Sequence, residues 1–249
     1  MKRIGTALFA LLPSKLAHLF LKMMGHKISW KSKIGFSFIY TDSIELKDTA
    51  KIGHFNFIKV DKISLGENAV IKSLNFFKGP FNIILKEEAR IGKQNRFQRA
   101  TSTVSYGISE LIIGKGTGIT SRNYLDLMQS IIFGEHSQVA GIGTQFWTHG
   151  YIHASKGVER IRIDGQIIIG NNVYIGSRCI FNPGVIVKDA INIGGNSVIS
   201  KDLNQSGMYV NQPLRYIDTD IHKAREKFLK VDDDLLIEEV YFRTKKNFE

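Results

Sequence analysis

The feature that most constrains this chain is a ladder of apolar residues spaced six apart. Its strictest run passes through Ile163, Ile169, Ile175, Phe181, Val187, Ile193 and Ile199, and two residues before each rung stand Ile161, Ile167, Val173, Cys179, Val185, Ile191 and Ser197. On an extended chain, residues two apart point to the same side. Each unit is therefore a very short strand with two inward side chains, followed by a turn. Glycine directly follows a rung at Gly35, Gly53, Gly66, Gly92, Gly114, Gly134, Gly170, Gly176 and Gly194, which reads as a device for tight bends.

The ladder extends back through Ile28, Ile34, Tyr40, Leu46, Ile52 and Ile58. With shifts in register it then passes through Leu65, Ile71, Phe77, Leu85, Ile91, Phe97, Ile113, Ile119, Leu125, Phe133, Val139 and Gln145. Taking three units as one coil puts first-side rungs at 28, 46, 65, 85, 113, 133, 163, 181 and 199, separated by 18, 19, 20, 28, 20, 30, 18 and 18 residues. Every excess over 18 then leaves from one corner, after the third side. The same framing stacks Asn56, Asn75, Asn95 and Asn123 in one inward column, and Ala50, Ala69, Ala89, Thr117 and Ser137 in another. Stacked amides can hydrogen-bond along such a column. The predicted fold class is an all-β repeat, a parallel β-helix of triangular section over residues 26–217, rising on the order of 40 Å. Beyond it, residues 218–249 read as a solvated terminal helix, with Ile221, Phe228 and Leu229 among many charges.

Residues 1–25 carry apolar side chains at Ile4, Leu8, Leu12, Leu16 and Phe20, which fit one face of a helix kinked near Pro13. Two readings stay open: a cap packed over the end of the core, or a peripheral membrane contact with Lys2, Arg3, Lys15 and Lys22 near anionic lipid. The interrupted apolar stretch and the lack of a small-residue cleavage site argue against a signal peptide. No run of 18 apolar residues exists, so no transmembrane helix is expected. Cys179 is the single cysteine, which excludes an intrachain disulfide and makes a reducing cytoplasm the expected location. A net charge of +11 calls for an anionic partner. Nucleic acid is not expected, because the cations are spread along the coils and no recognition motif accompanies them.

The longest excess falls in the loop 145–160, Q-F-W-T-H-G-Y-I-H-A-S-K-G-V-E-R, which holds Trp147, His149, Tyr151 and His153. Long loops on a repetitive scaffold are usual places for function. A histidine titrates near ~6.5 and suits general-base chemistry. His149 and His153 are both candidates.

Three groups of residues carry a resemblance. Tyr124-Leu125-Asp126, Phe133-Gly134 and Thr148-His149 form the first; Gly170 to Ser177, Pro183-Gly184-Val185 and Ser197 to Asp202 the second; Asn211-Gln212-Pro213-Leu214-Arg215 the third. In this order they resemble the hexapeptide-repeat acyltransferases, similar to sugar, xenobiotic and polysaccharide O-acetyltransferases, from about Ile28 to Ile217. That resemblance implies a homotrimer of left-handed β-helices with sites between subunits, acetyl-CoA as acyl donor, and a saccharide acceptor, first of all a surface polysaccharide or lipopolysaccharide. It makes His149 the catalytic base, since only His149 follows the motif's threonine. It implies that Tyr174, Gly176, Ser177, Gly195, Lys201 and Arg215 bind the cofactor, and that Asp126, Trp147 and His153 lie at the acceptor, with no metal required. The chain departs from the family at Gly118-Ile119, where an acceptor-reading asparagine is usual, and at Asn211 to Leu214. Two alternatives remain: a zinc enzyme like the gamma-type carbonic anhydrases, with His136, His149 and His153 as ligands, and a β-helix used only as a scaffold.

Overall fold

The computed structural model describes residues 2–101, 103–210, 220–234, 236–237 and 239–243. Three parallel sheets form the faces of a prism. The first runs in coil order from Lys27–Ile28 through Ser43–Leu46, Lys62–Leu65, Asn82–Leu85, Glu110–Ile113, Ile131–Phe133 and Ile167–Ile169 to Ile186–Val187. The second runs from Lys33–Ile34 to Gly207–Tyr209, and the third from Phe38–Tyr40 to Val198–Ile199. Inward residues alternate with outward ones, so each coil sends its Ile, Leu, Val and Phe into one continuous core. Like stacks on like within it: the rings of Phe77 and Phe97 are 4.4 Å apart, and those of Phe146 and Phe181 are 4.5 Å apart.

The asparagine column forms as the spacing predicts. Asn56 Oδ1 accepts from the Asn75 backbone N–H at 2.9 Å and from Asn75 Nδ2 at 3.2 Å. The same pair of bonds links Asn75 to Asn95 and Asn95 to Asn123, and Ser37 and Thr144 continue the column at either end. A buried amide is expensive unless bonded, so each member is held by its neighbours above and below.

Three details differ from the sequence expectation. Tyr40 and Gln145 are not inward; Ile39 and Phe146 take those places, fully buried. Ile161 and Ile163 are not coil rungs, and the first side resumes only at Ile167–Ile169, so Phe181 and Ile199 lie on the third side. The segment Arg160–Asp164 has the same two-residue alternation as a coil strand, which is why it joins the ladder in sequence. The insertions nevertheless leave from the predicted corner, between the third and first sides, at residues 99–109 and 147–166.

The glycines after the rungs serve a different purpose from bending. Gly114 has no left-handed φ, but a Cβ there would meet the Gly134 carbonyl oxygen of the next coil at 2.2 Å. Close backbone approach between coils excludes a side chain. The bends are instead made by non-glycine residues at positive φ, such as Asn68 (57°), Glu88 (59°) and Asn172 (54°), each three residues after a first-side rung.

At the start of the chain, helices α1 (Lys2–Phe9) and α2 (Ser14–Met23) are separate, with Pro13 breaking the path between them. α1 packs on the strand Phe38–Tyr40 and α2 on Lys27–Ile28 and Lys33–Ile34, so the pair closes the end of the prism. Their buried face is Thr6, Ala7, Ala10, Ala17, His18 and Leu21, whereas Ile4, Leu8 and Leu16 from the predicted apolar face point outward. No helix among the described residues is long and apolar enough to cross a membrane.

The tail is more than a solvated helix. α3 (Ile221–Lys227) is capped by Asp220, which accepts from the backbone N–H groups of His222 and Lys223, both at 3.0 Å. Beyond it, Leu229–Lys230 and Val240–Phe242 join a fourth sheet with His149–His153 and Arg160–Asp164. Arg225 locks tail to hairpin through ion pairs with Glu159 at 2.6 Å and Glu239 at 2.7 Å.

Candidate functional site

Parallel pairing of Gln145–Phe146 on Tyr124–Asp126 brings the residues just past Phe146 over the end of the earlier strand. Asp126 there is 5% exposed at its side chain, and one oxygen, Oδ2, serves three donors. It accepts from the Thr148 N–H at 2.9 Å and the Thr148 hydroxyl at 2.8 Å, and lies 2.7 Å from His149 Nδ1. A carboxylate can only accept, so Nδ1 carries the proton and Nε2 presents its lone pair. Nε2 makes no hydrogen bond to the described residues, and the ring is 26% exposed. Burial pulls the His149 pKa down, but the hydrogen bond and charge of Asp126, with the charge of Asp164, outweigh it and raise the pKa above its usual value. The result is an oriented imidazole with an open, basic nitrogen.

Asp126 was expected at the acceptor; its burial and its three donors make it the group that orients His149 instead. The predicted loop 145–160 is half strand, and the hairpin pairs His149 with Asp164, Tyr151 with Arg162 and His153 with Arg160. Trp147, His149, Tyr151 and His153 therefore share one strand face. Consecutive rings lie 6.4, 5.9 and 6.4 Å apart. Trp147 is fixed from below by the Tyr124 ring at 4.9 Å and by its indole N–H to Gln145 at 2.9 Å.

Four alternating side chains form an aromatic and imidazole strip beside Nε2, each ring steeply inclined to the next, at 70°, 86° and 59°.

Beside the strip, on the same face of the hairpin, lies a polar cluster that the sequence does not announce. Arg162 and Asp164 are buried, at 1% and 0% exposure, with Arg162 Nε donating to Asp164 Oδ1 at 2.9 Å. Gln129 links this pair to Thr148, the neighbour of His149: its Nε2 donates to Asp164 Oδ2 at 3.3 Å, and its backbone N–H to the Thr148 hydroxyl at 3.0 Å. Burial raises the Asp164 pKa, partly offset by Arg162 and Gln129. The available signal was two charged residues inside an otherwise apolar alternation, which a coil interior would not accept.

The cofactor candidates sit elsewhere. Tyr174 projects outward from the second side, 48% exposed. Gly176 lies so close to the next coil that a Cβ would be 2.6 Å from the Gly195 backbone nitrogen, and Ser177 O accepts from the Asn196 N–H at 2.9 Å. This cluster occupies the corner between the second and third sides, while His149 leaves the corner between the third and first. Within one chain the two do not meet. Lys201 follows the third-side strand Val198–Ile199, on the edge carrying His149 and two coils further along. Arg215 and the motif around it lie outside the described residues. Cys179 is a fully buried inward rung whose pKa is raised by burial, an inert filler as its place in the ladder predicts.

His149 and His153 are four residues apart on an extended strand, about 13 Å, too far to share one ion within a chain. Among the described residues, no group of three or more His, Cys, Asp or Glu side chains is placed to hold a metal.

No protein-family model matches the chain. A probable macrolide acetyltransferase of Lysinibacillus sphaericus is 28% identical over 123 residues, covering 48% of this chain and 66% of that protein. The galactoside O-acetyltransferase of Escherichia coli (strain K12) is 43% identical over 51 residues, 20% of this chain and 25% of its own length. The matches thus span less than two thirds of either relative. Among solved structures, a UDP-N-acetylglucosamine acyltransferase superposes with a TM-score of 0.50 at 17% identity, covering 75% of this chain and 66% of that one. The fold is the left-handed parallel β-helix, an all-β repeat. Both sequence relatives are named acetyltransferases.

Proposed function

We propose that this protein is an O-acetyltransferase that moves an acetyl group from acetyl-CoA to a hydroxyl of a saccharide, with His149 as general base. The observation that carries the reading is the His149–Asp126 pair, 2.7 Å apart, with Nε2 left open at the rim of the aromatic strip. His149 Nε2 takes the proton of the acceptor hydroxyl as its oxygen attacks the thioester carbonyl. Collapse of the tetrahedral intermediate breaks the C–S bond, and the imidazolium returns the proton to the departing CoA thiolate. Atoms balance without an acyl-enzyme. Asp126 stabilises the imidazolium while it lasts, a role that needs a fixed carboxylate rather than an exposed one. The flat faces of Trp147 and Tyr151 suit the apolar face of a sugar ring, and His153 stands at the far end of the strip.

Acetyl-CoA binds, in this reading, along the edge of Tyr174, Gly176, Ser177 and Gly195 of one copy, with Lys201, which lies on the His149 edge, supplied by the adjoining copy, and Lys201 and Arg215 serving its phosphates. Because that edge and His149 lie at different corners of one chain, the complete site needs a second copy, which supports a homotrimer. The proposed setting is cytoplasmic, in the assembly of a surface polysaccharide or lipopolysaccharide. The relatives named for galactoside and macrolide support a hydroxyl acceptor of this kind.

The test is a thermal-shift titration with CoA and acetyl-CoA on wild type and His149→Ala. A ligand bound only by the folded state adds about 2.7 kcal/mol at one hundred times its dissociation constant. Stabilisation of both proteins is expected; no response in either, with the protein folded and trimeric, overturns the CoA reading.

A further inference from the structure

The end of the prism closed by α1 and α2 has an apolar outer face. Ile4, Leu8, Leu11, Leu16, Leu19 and Met23 are all exposed, Met23 to 76% and Leu8 to 62%, while the opposite faces of the same helices fill the end of the core. Within each segment they recur at helical spacing, Ile4, Leu8 and Leu11 in the first and Leu16, Leu19 and Met23 in the second, a concentration of exposed large apolar side chains that a soluble surface does not normally present without an occupant. Basic and amphipathic side chains rim it. Lys15 Nζ donates to the Trp30 carbonyl at 3.1 Å, Lys22 Nζ lies 4.5 Å from the centre of the Trp30 ring, and Trp30 itself is 49% exposed. No aspartate or glutamate occurs before Asp42. Arg3 is already neutralised by Asp42 and Asp61, but Lys2, Lys15 and Lys22 pair with no carboxylate among the described residues.

We propose that this capped end is a membrane-docking face that seats on a bilayer containing anionic lipid. The chemistry is that of an interfacial helix pair: leucine, isoleucine and methionine enter the acyl boundary, lysines meet phosphate headgroups, and a tryptophan sits at the level between. The charge decides between occupants. Pairing this face with itself in a second copy would bring two sets of lysines together, while the carboxylates at this end, Asp42 and Asp61, are already engaged by Arg3; an anionic headgroup layer supplies the missing charge. The inference rests on the cap alone and holds whether or not the acetyl-transfer reading does.

The experiment is co-sedimentation of the full-length protein with vesicles of phosphatidylcholine alone and of phosphatidylcholine with phosphatidylglycerol, at low and high salt. Wild type, Leu8→Ser/Leu19→Ser and Lys2→Gln/Lys15→Gln/Lys22→Gln are compared, with melting curves for each. Binding of wild type to the anionic vesicles, weakened by about tenfold in both variants, is expected. The melting curves should stay unchanged, because the substituted side chains point away from the core. Absence of binding to anionic vesicles, or equal binding by the Leu8→Ser/Leu19→Ser protein, overturns the proposal. So does a concentration-dependent self-association that this variant abolishes without any vesicle binding, since the occupant is then a second copy.

Discussion

Replacing Asp126 by asparagine separates charge from shape at the proposed base. Asparagine is nearly isosteric and keeps an oxygen for the Thr148 N–H, the Thr148 hydroxyl and His149 Nδ1, which now approach Oδ2 at 2.9, 2.8 and 2.7 Å. What disappears is the negative charge. Hydrogen bonds to charged groups contribute about 1.5–3 kcal/mol against about 1 for neutral ones, so the imidazolium loses about 0.5–2 kcal/mol of stabilisation. Turnover should fall by roughly two- to thirtyfold. The sign for pH follows from the balance of forces on His149: burial lowers its pKa, and Asp126 is the main group raising it. Asp126→Asn therefore lowers that pKa, and the acid limb of kcat/KM moves to lower pH while the plateau drops. The assay is an NMR titration of the imidazole, assigned by its loss in His149→Ala, beside release of free CoA thiol in the presence of acceptor. A His149 titration that stays in place or moves upward in Asp126→Asn would refute the argument.

Further outcomes follow from the same contacts. Asn95→Ala removes the acceptor for two Asn123 donors and the donor to the Thr120 carbonyl, and should cost about 2–4 kcal/mol in urea unfolding; a change below about 0.5 would mean the column is incidental. Gly114→Ala should be severely destabilising, because its Cβ would meet the Gly134 oxygen at 2.2 Å, while Gly194→Ala, with nothing nearer than 3.5 Å, should melt close to wild type. His26 is buried between Thr6 Oγ1 at 2.9 Å and the Ile44 N–H at 3.2 Å, and burial, aided by the charge of Lys2, lowers its pKa to about 4. The unfolded chain takes up a proton below about 6.5 that the folded chain refuses, so stability is complete above that pH and falls by up to about 1.4 kcal/mol per unit as pH drops toward 4. His26→Gln should flatten this dependence in unfolding measured from pH 7 to pH 4.5.

The coil was legible because its rule is local and repeated. A side chain every second residue, with a turn every sixth, fixes three faces, and the asparagine column fixes how the coils stack. The same rule misled at Arg160–Asp164, where a hairpin strand has the periodicity of a coil strand, and only the burial of Arg162 and Asp164 distinguishes them. The motif singles out His149 as the candidate base; the contact of Asp126 with His149 spans 23 residues and depends on coil-to-coil register, which the sequence does not display. Gln129, Arg162 and Asp164 belong to the insertion and the coil it covers, and no periodicity announces them. The apolar spacing of residues 4–20 revealed amphipathic helices but not which face turns inward, since alanines and a threonine pack against the prism end and the larger side chains face out.

The most direct test of the central claim is acetyl transfer itself. Purified protein is incubated with acetyl-CoA and a panel of saccharides, and O-acetylated product is read by mass spectrometry for wild type and His149→Ala. Product from wild type, reduced by at least about a hundredfold in His149→Ala while CoA still binds both, is the predicted result. Undiminished product from His149→Ala would contradict His149 as the base.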